Sequence, residues 1–403
     1  MTAAETPKKR SKLKLAANIC VASMGLAAVG LLAVMTSTNP GGSSSLNTSS
    51  RYPSAATITP VLTTALVEVD QRRVETLDEL LALEAAERAE VDIARANLLV
   101  AKATPNAGDI DIDTQLATLD DWAGRVAFDT DRHLYKFRQN PAEFNNSEGY
   151  FRILMLVTVL QQDCGVRYNP DRINDPDFTK PGDFFIHGMI PAGGPDGTRV
   201  VSGGTCVSMP VLYTSVARRL GYPVSLVTTK GHVFARWEDE NERLNIEATG
   251  QGLNVYDDEF YTTWPSEITQ REIEAFGLLR SLDADEQLAL FLASTGHAYH
   301  DSGHLPEAIR TYTLASRLDP DNELYRGYAS EAHARLAGAQ RNLAARPGYE
   351  RFGPRPSGGR GTGRDPLREI EEINRRNRER LWNPDPFAPP GVPGYPTPPV
   401  PGG

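Results

Sequence analysis

Between residues 203 and 248 the spacing of apolar residues changes abruptly, and that change constrains the fold more than any other feature of the chain. In GGTCVSMPVLYTSVARRLGYP (203–223), Val211, Leu212, Ser215, Val216 and Leu220 recur at i, i+3/i+4, the stripe of an amphipathic helix. Thr205 can cap that helix, Pro210 is early enough for its first turn, and Gly221 and Pro223 are stop signals. Beyond them VSLVTT (224–229), HVFARWE (232–238) and RLNIEA (243–248) alternate or run β-branched, with DENE (239–242) as a tight turn. A helix followed at once by antiparallel strands predicts an α+β domain.

Cys206 stands at the mouth of the predicted helix, where free N–H groups and the helix dipole favour an anion. That environment turns a thiol into a thiolate. His232 lies 26 residues downstream at the start of a strand, and two acceptors, Asn245 and Glu247, share one face of the next. If DENE closes the hairpin, Glu238 opposes Arg243 and His232 opposes Thr249. Glu247 is then one diagonal step from His232, about 7–8 Å and within reach of its side chain, and Asn245 is a step farther. Thiolate, imidazole and acceptor are the groups that acyl transfer requires: a nucleophile, a proton shuttle and an orienting anion. The candidate catalytic residues are Cys206, His232 and Glu247, with Asn245 in reserve. Backbone N–H groups at the helix mouth could hold an oxyanion. The competing readings are a core cysteine, or a disulfide with Cys164, which export would permit.

Composition narrows the partners. With 42 Lys+Arg against 52 Asp+Glu, a net charge of −10 argues against nucleic acid and leaves little electrostatic hold on anionic lipid. Membrane attachment must therefore come from an inserted segment. LAANICVASMGLAAVGLLAVM (15–35) is uncharged and long enough to span a bilayer. Five basic residues precede it, Lys8, Lys9, Arg10, Lys12 and Lys14, and the next positive cluster is Arg72 and Arg73. The positive-inside rule then predicts a single-pass anchor in the inner (cell) membrane, with the body exported to the periplasm or cell exterior. A cleaved signal peptide is the competing reading, but no small-x-small site ends the stretch. Cys20 reads as a membrane-buried thiol.

The rest of the chain divides by composition. Residues 1–14 form a basic cytoplasmic segment, and the Ser/Thr/Gly/Pro-rich stretch 36–56 is a flexible linker. A helical region spans 57–162. In it TLDELLALEAAERAEVDIARANLLVAKA (76–103) reads as one helix opened by a Thr76/Glu79 capping box. Leu116, Leu119, Trp122 and Val126 mark a second helix, and YFRILMLVTVL (150–160) is a buried helix or strand. The core domain occupies 163–275, loop-like up to 204. In 276–345, Leu292, Gly296, Tyr299, Ala308, Tyr312, Ala315 and Pro320 follow tetratricopeptide spacing, and 323–345 is the closing helix. A lone repeat cannot bury its own faces, so it should pack on the α+β domain. The Pro/Gly/Arg-rich tail 346–403 reads as disordered, with a short helix over 365–382. His187 and Trp264 read as core or loop residues, though either could line the cleft. His297, His300 and His304 have no carboxylate support, so neither a metal nor a cofactor is expected.

GTCVSMPVLYTSVARRLGYP, GHVFARWE and LNIEATGQG together resemble the three core motifs of the transglutaminase-like superfamily. The resemblance spans roughly 90–270 and is closest to bacterial members with a helical N-terminal extension and a tetratricopeptide tail. It implies a papain-like fold with the family's nucleophile at Cys206, its histidine at His232 and its acidic residue at Glu247, where the family has Asp. The expected activity is thiol-dependent acyl transfer on a peptide or protein amide, as a cysteine peptidase or amidase or as a transglutaminase. Peptidoglycan peptides and exported proteins are both candidate substrates. The alternative is a non-catalytic scaffold that binds a protein partner through a degenerate core and the tetratricopeptide-like helices.

Overall fold

The computed structural model describes residues 66–68, 72–172, 177–191 and 203–344, and among these it has four antiparallel strands and a larger set of helices. The expected basic segment, membrane span 15–35, linker 36–56 and tail 346–403 lie outside the described residues. Among the described residues, no helix is long and apolar enough to cross a membrane.

Between residues 72 and 163 the described elements are helical, but 76–103 is not one helix. The Thr76/Glu79 capping box opens α1 (Leu77–Ala82), and α2 (Ala85–Arg88) and α3 (Ile93–Lys102) follow as separate elements. Acidic side chains cause the breaks. Glu87 accepts from the backbone N–H of Glu84 at 3.0 Å, and Asp92 accepts from that of Ala94 at 2.9 Å. Each bond satisfies a donor that a continuous helix would have used, so the helix restarts. α4 (Ile112–Gln139) buries Leu116, Leu119, Trp122 and Val126 on one face. The apolar run 150–160 is helical, in α5 (Glu148–Thr158) and then a π-turn over Val159–Asp163 that ends at Cys164. Short helical turns, including α6 (Pro181–Phe184), punctuate the described residues between Cys164 and Pro191.

α7 (Ser208–Arg219) leads into β1 (Val224–Thr229), β2 (His232–Glu238), β3 (Arg243–Glu247) and β4 (Asn254–Tyr256), in that spatial order. The first three strands fall where the change of period places them; β4 was not anticipated. β1 and β2 close through Lys230 and Gly231, the glycine supplying a φ of +78° that other residues resist. In the DENE turn, Asp239 Oδ1 accepts from the N–H groups of Asn241 and Glu242, and Glu238 pairs with Arg243 as predicted. β1 is not an open edge. The N–H groups of Leu279 and Leu282 donate to Thr228 and Leu226 and cover it.

α8 (Asp258–Thr263) packs on the sheet face that carries Val227, Phe234 and Arg236, and α9 (Gln270–Phe276) follows it. The stretch expected to follow tetratricopeptide spacing holds a helical hairpin, α10 (Ala284–Asp301) and α11 (Leu305–Leu318), followed by α12 (Glu323–Ala344). It packs on the N-terminal helices as well as on the α+β unit. Thr295 and Thr104 share a buried hydroxyl hydrogen bond at 2.7 Å, Arg88 pairs with Asp285 at 2.6 Å, and Arg218 donates to Gln287 at 3.3 Å. The main apolar core runs from Val74 through α3, α4, α5, α7 and the sheet to Phe291 and Tyr325, with smaller clusters around Tyr312 and around Phe234 and Tyr261.

Candidate active site

The helix–strand unit brings Cys206 and His232 to one end by topology. The chain reverses over 220–223, where Arg218 Nε donates to the carbonyl of Val224, and α7 packs on β1 and β2. Twelve helical residues advance about 18 Å, and six strand residues about 20 Å. The start of α7 is therefore level with the end of β1, where the two-residue turn delivers His232.

Several anchors hold the segment that carries Cys206. Gly204 bridges Tyr168, donating to the carbonyl of Arg167 and accepting from Asn169. Ser208 Oγ accepts from the N–H of Thr205 and donates to the carbonyl of Asp183, while Thr205 Oγ1 accepts from the N–H of Val207. Side-chain packing leaves no room for a larger residue at 204: a Cβ there would lie 2.3 Å from Met189 Sδ and 2.6 Å from Met209 Cγ. The first turn of α7 contains no acidic residue and its last turn holds Arg218 and Arg219. The helix N-terminus thus keeps its full pull on a negative charge. Cys206 is buried, and no disulfide joins it to Cys164.

His232 meets Glu247 as the strand register requires. Pairing of Arg236 with Asn245 and of Ala235 with Ile246 sets Glu247 one diagonal step from His232. Nε2 of His232 lies 2.8 Å from Oε2 of Glu247. An ionised carboxylate only accepts, so Nε2 carries the proton. Both residues are buried. Burial acts to raise the carboxyl pKa of Glu247, but His232 and the donors of Thr249 outweigh it and hold it below the usual carboxylate value. Oε1 of Glu247 accepts from the N–H of Thr249 at 3.0 Å and from its hydroxyl at 2.5 Å.

Asn245 is committed elsewhere. Its Oδ1 accepts from Arg236 Nε at 2.7 Å and its Nδ2 donates to Asp258 at 2.8 Å, while Arg236 also pairs with Asp258. This partly buried network ties α8 to β2 and β3 and leaves the His232 partnership to Glu247.

Two neighbours of the pair come from α8 and its end. Trp264 stands edge-on to the His232 ring with centroids 4.7 Å apart, and Tyr261 donates its hydroxyl to Oε2 of Glu247 at 3.1 Å. Sequence spacing gave Trp264 only a weak claim to the cleft and Tyr261 none. Both arrive from a helix whose docking depends on Arg236 and Asp258, which no local pattern reveals. His187 is buried in the turn Ile186–Gly188.

The three histidines of the helical hairpin are spread over different surroundings. His297 Nδ1 shares a 2.8 Å hydrogen bond with the hydroxyl of Tyr312, His300 sits beside Asp301 and Arg335, and His304 packs edge-on to Tyr299. Among the described residues, no group of three or more His, Cys, Asp or Glu is placed to hold a metal ion.

No family model, curated protein or solved structure matches this chain. The functional reading therefore stands on the chemistry of the site.

Proposed function

We propose that this chain is a membrane-anchored, exported thiol enzyme that transfers an acyl group from a peptide or protein amide through Cys206, His232 and Glu247, on a core of transglutaminase-like type. One observation carries the reading: the buried 2.8 Å hydrogen bond from His232 Nε2 to Glu247 Oε2. With Nε2 engaged by the carboxylate, Nδ1 is the ring atom that exchanges a proton with a thiol.

The Cys206 thiolate attacks the amide carbonyl, forming a C–S bond as the carbonyl oxygen takes the negative charge. Backbone N–H groups at the mouth of α7 stabilise that oxyanion. Collapse of the adduct breaks the C–N bond, and the His232 imidazolium gives its proton to the departing amine. The thioester then passes its acyl group to water or to a second amine. His232 takes the incoming nucleophile's proton, and Cys206 leaves as the thiolate. Glu247 fixes the imidazole ring and stabilises its cationic form throughout.

Alkylation with iodoacetamide tests the pair without a substrate. At neutral pH Cys206 should react well before Cys164, whose thiol is pushed up to about 11 by burial. His232→Ala should slow Cys206 labelling about tenfold, because the cation that pairs with the thiolate is gone. Equal labelling of wild type and His232→Ala would overturn the enzyme reading and favour a binding scaffold. The anchor is tested separately: the full chain should remain in the membrane fraction after high-salt and alkaline washing, with residues 15–35 as its attachment. A soluble product beginning near Ser37 would show that the segment is cleaved.

A further inference from the structure

Glu247 has a long side chain with three rotatable torsions, so a hydrogen bond to His232 alone does not fix its carboxylate plane. Four bonds from three residues converge on it. Oε2 accepts from His232 Nε2 at 2.8 Å and from the Tyr261 hydroxyl at 3.1 Å, and Oε1 accepts twice from Thr249. Tyr261 is fully buried. Its ring lies flat against Phe234, centroids 3.9 Å apart, and its backbone carbonyl accepts from Thr229 Oγ1 at 3.0 Å. Thr229 is the residue paired with His232 across the β1–β2 turn.

A phenylalanine would fill the same stack on Phe234, so packing does not account for the hydroxyl. We propose that Tyr261 is a positioning residue: with Thr249 on the opposite oxygen, its hydroxyl clamps the Glu247 carboxylate so that Oε2 faces His232 Nε2. The role rests on the acyl-transfer reading of Cys206, His232 and Glu247 and deepens it. Tyr261 touches no reacting atom. It acts through Glu247, which acts through the imidazole. Burial, followed by the nearby charge of Glu247, raises the phenol pKa, so the hydroxyl stays protonated and donates.

The test is Tyr261→Phe in the full chain, read by the solvent exchange of the His232 Nε2 proton in histidine-labelled NMR spectra. Loss of the clamp should accelerate that exchange about tenfold, equivalent to about 1.4 kcal/mol of lost restraint, and should slow Cys206 alkylation. Unchanged exchange in folded Tyr261→Phe overturns the proposal. If Tyr261→Phe does not fold, Thr249→Val serves instead. It removes the hydroxyl donor from the other oxygen and should accelerate exchange similarly, while Thr249→Ser should restore it; no acceleration in Thr249→Val overturns the clamp. Failure of the underlying reading is a different result: His232→Ala would leave Cys206 alkylation unchanged, and the exchange measurement would still report on Tyr261 and Glu247.

Discussion

Asn245 and Glu247 occupy one face of β3, two residues apart, and their surroundings give them opposite duties. Asn245 satisfies Arg236, a guanidinium buried between Asp258 and the carbonyl of Leu279. Glu247 satisfies His232. Glu247→Gln should slow turnover strongly while leaving the fold intact, because a neutral amide can accept from Nε2 but cannot stabilise an imidazolium. Asn245→Ala should lower stability by about 1–3 kcal/mol, the cost of leaving a buried charged donor without its acceptor. Its folded fraction should retain Cys206 reactivity. Urea unfolding and iodoacetamide labelling of the two variants separate these effects. If Asn245→Ala abolishes Cys206 reactivity and Glu247→Gln does not, the third member of the site is misassigned.

Among the elements, the α10–α11 hairpin depends on one close approach. A Cβ at Gly296 would lie 2.4 Å from Cε1 of Tyr312, so a glycine lets the aromatic ring of α11 lie against the backbone of α10. Tyr312 is buried there beside Tyr299, Ala308 and Ala332. Gly296→Ala should therefore cost about 1–3 kcal/mol through overpacking, although alanine is the better helix former. A raised urea midpoint in Gly296→Ala would show that the ring yields without loss. Arg219 of α7 pairs with Asp92, the cap of α3, at 2.5 Å and with Asp120 of α4 at 2.7 Å. The helical N-terminal region is thus fastened to the helix that begins just after Cys206.

At the scale of the whole molecule, His297 links the C-terminal helices to the segment 177–191 that precedes the candidate site. It packs on Phe178 with ring centroids 5.0 Å apart and contacts Tyr312 and Tyr328. Burial, the largest influence, lowers its pKa from 6.5 to about 4. Above pH 6.5 the imidazole is neutral in both folded and unfolded chains, so the group adds no pH dependence. Below it the unfolded chain binds the proton first, and stability falls until the pH reaches the folded value near 4. The full loss is about 3 kcal/mol for this one group. Urea unfolding at pH 7.5 and pH 4.5 should show that loss in wild type, and His297→Gln should show correspondingly less. Identical pH dependence in the two proteins would rule out His297 as its source.

The sequence by itself determined the local elements around the site. Apolar spacing defined α7 and three strands, Thr76 and Glu79 marked the start of α1, and DENE set a register that put Glu247 within reach of His232. These features are legible because each depends on residues a few positions apart. Only the tertiary structure decided the rest. Acidic caps cut 76–103 into three helices, a stretch whose apolar content suits one long helix. Arg236 bound Asn245 and removed it from the site. Docking of α8 carried Tyr261 to Glu247 and set Trp264 against His232. Each outcome turns on which buried donor meets which acceptor. That is settled when distant segments exclude water together, and linear spacing holds no record of it.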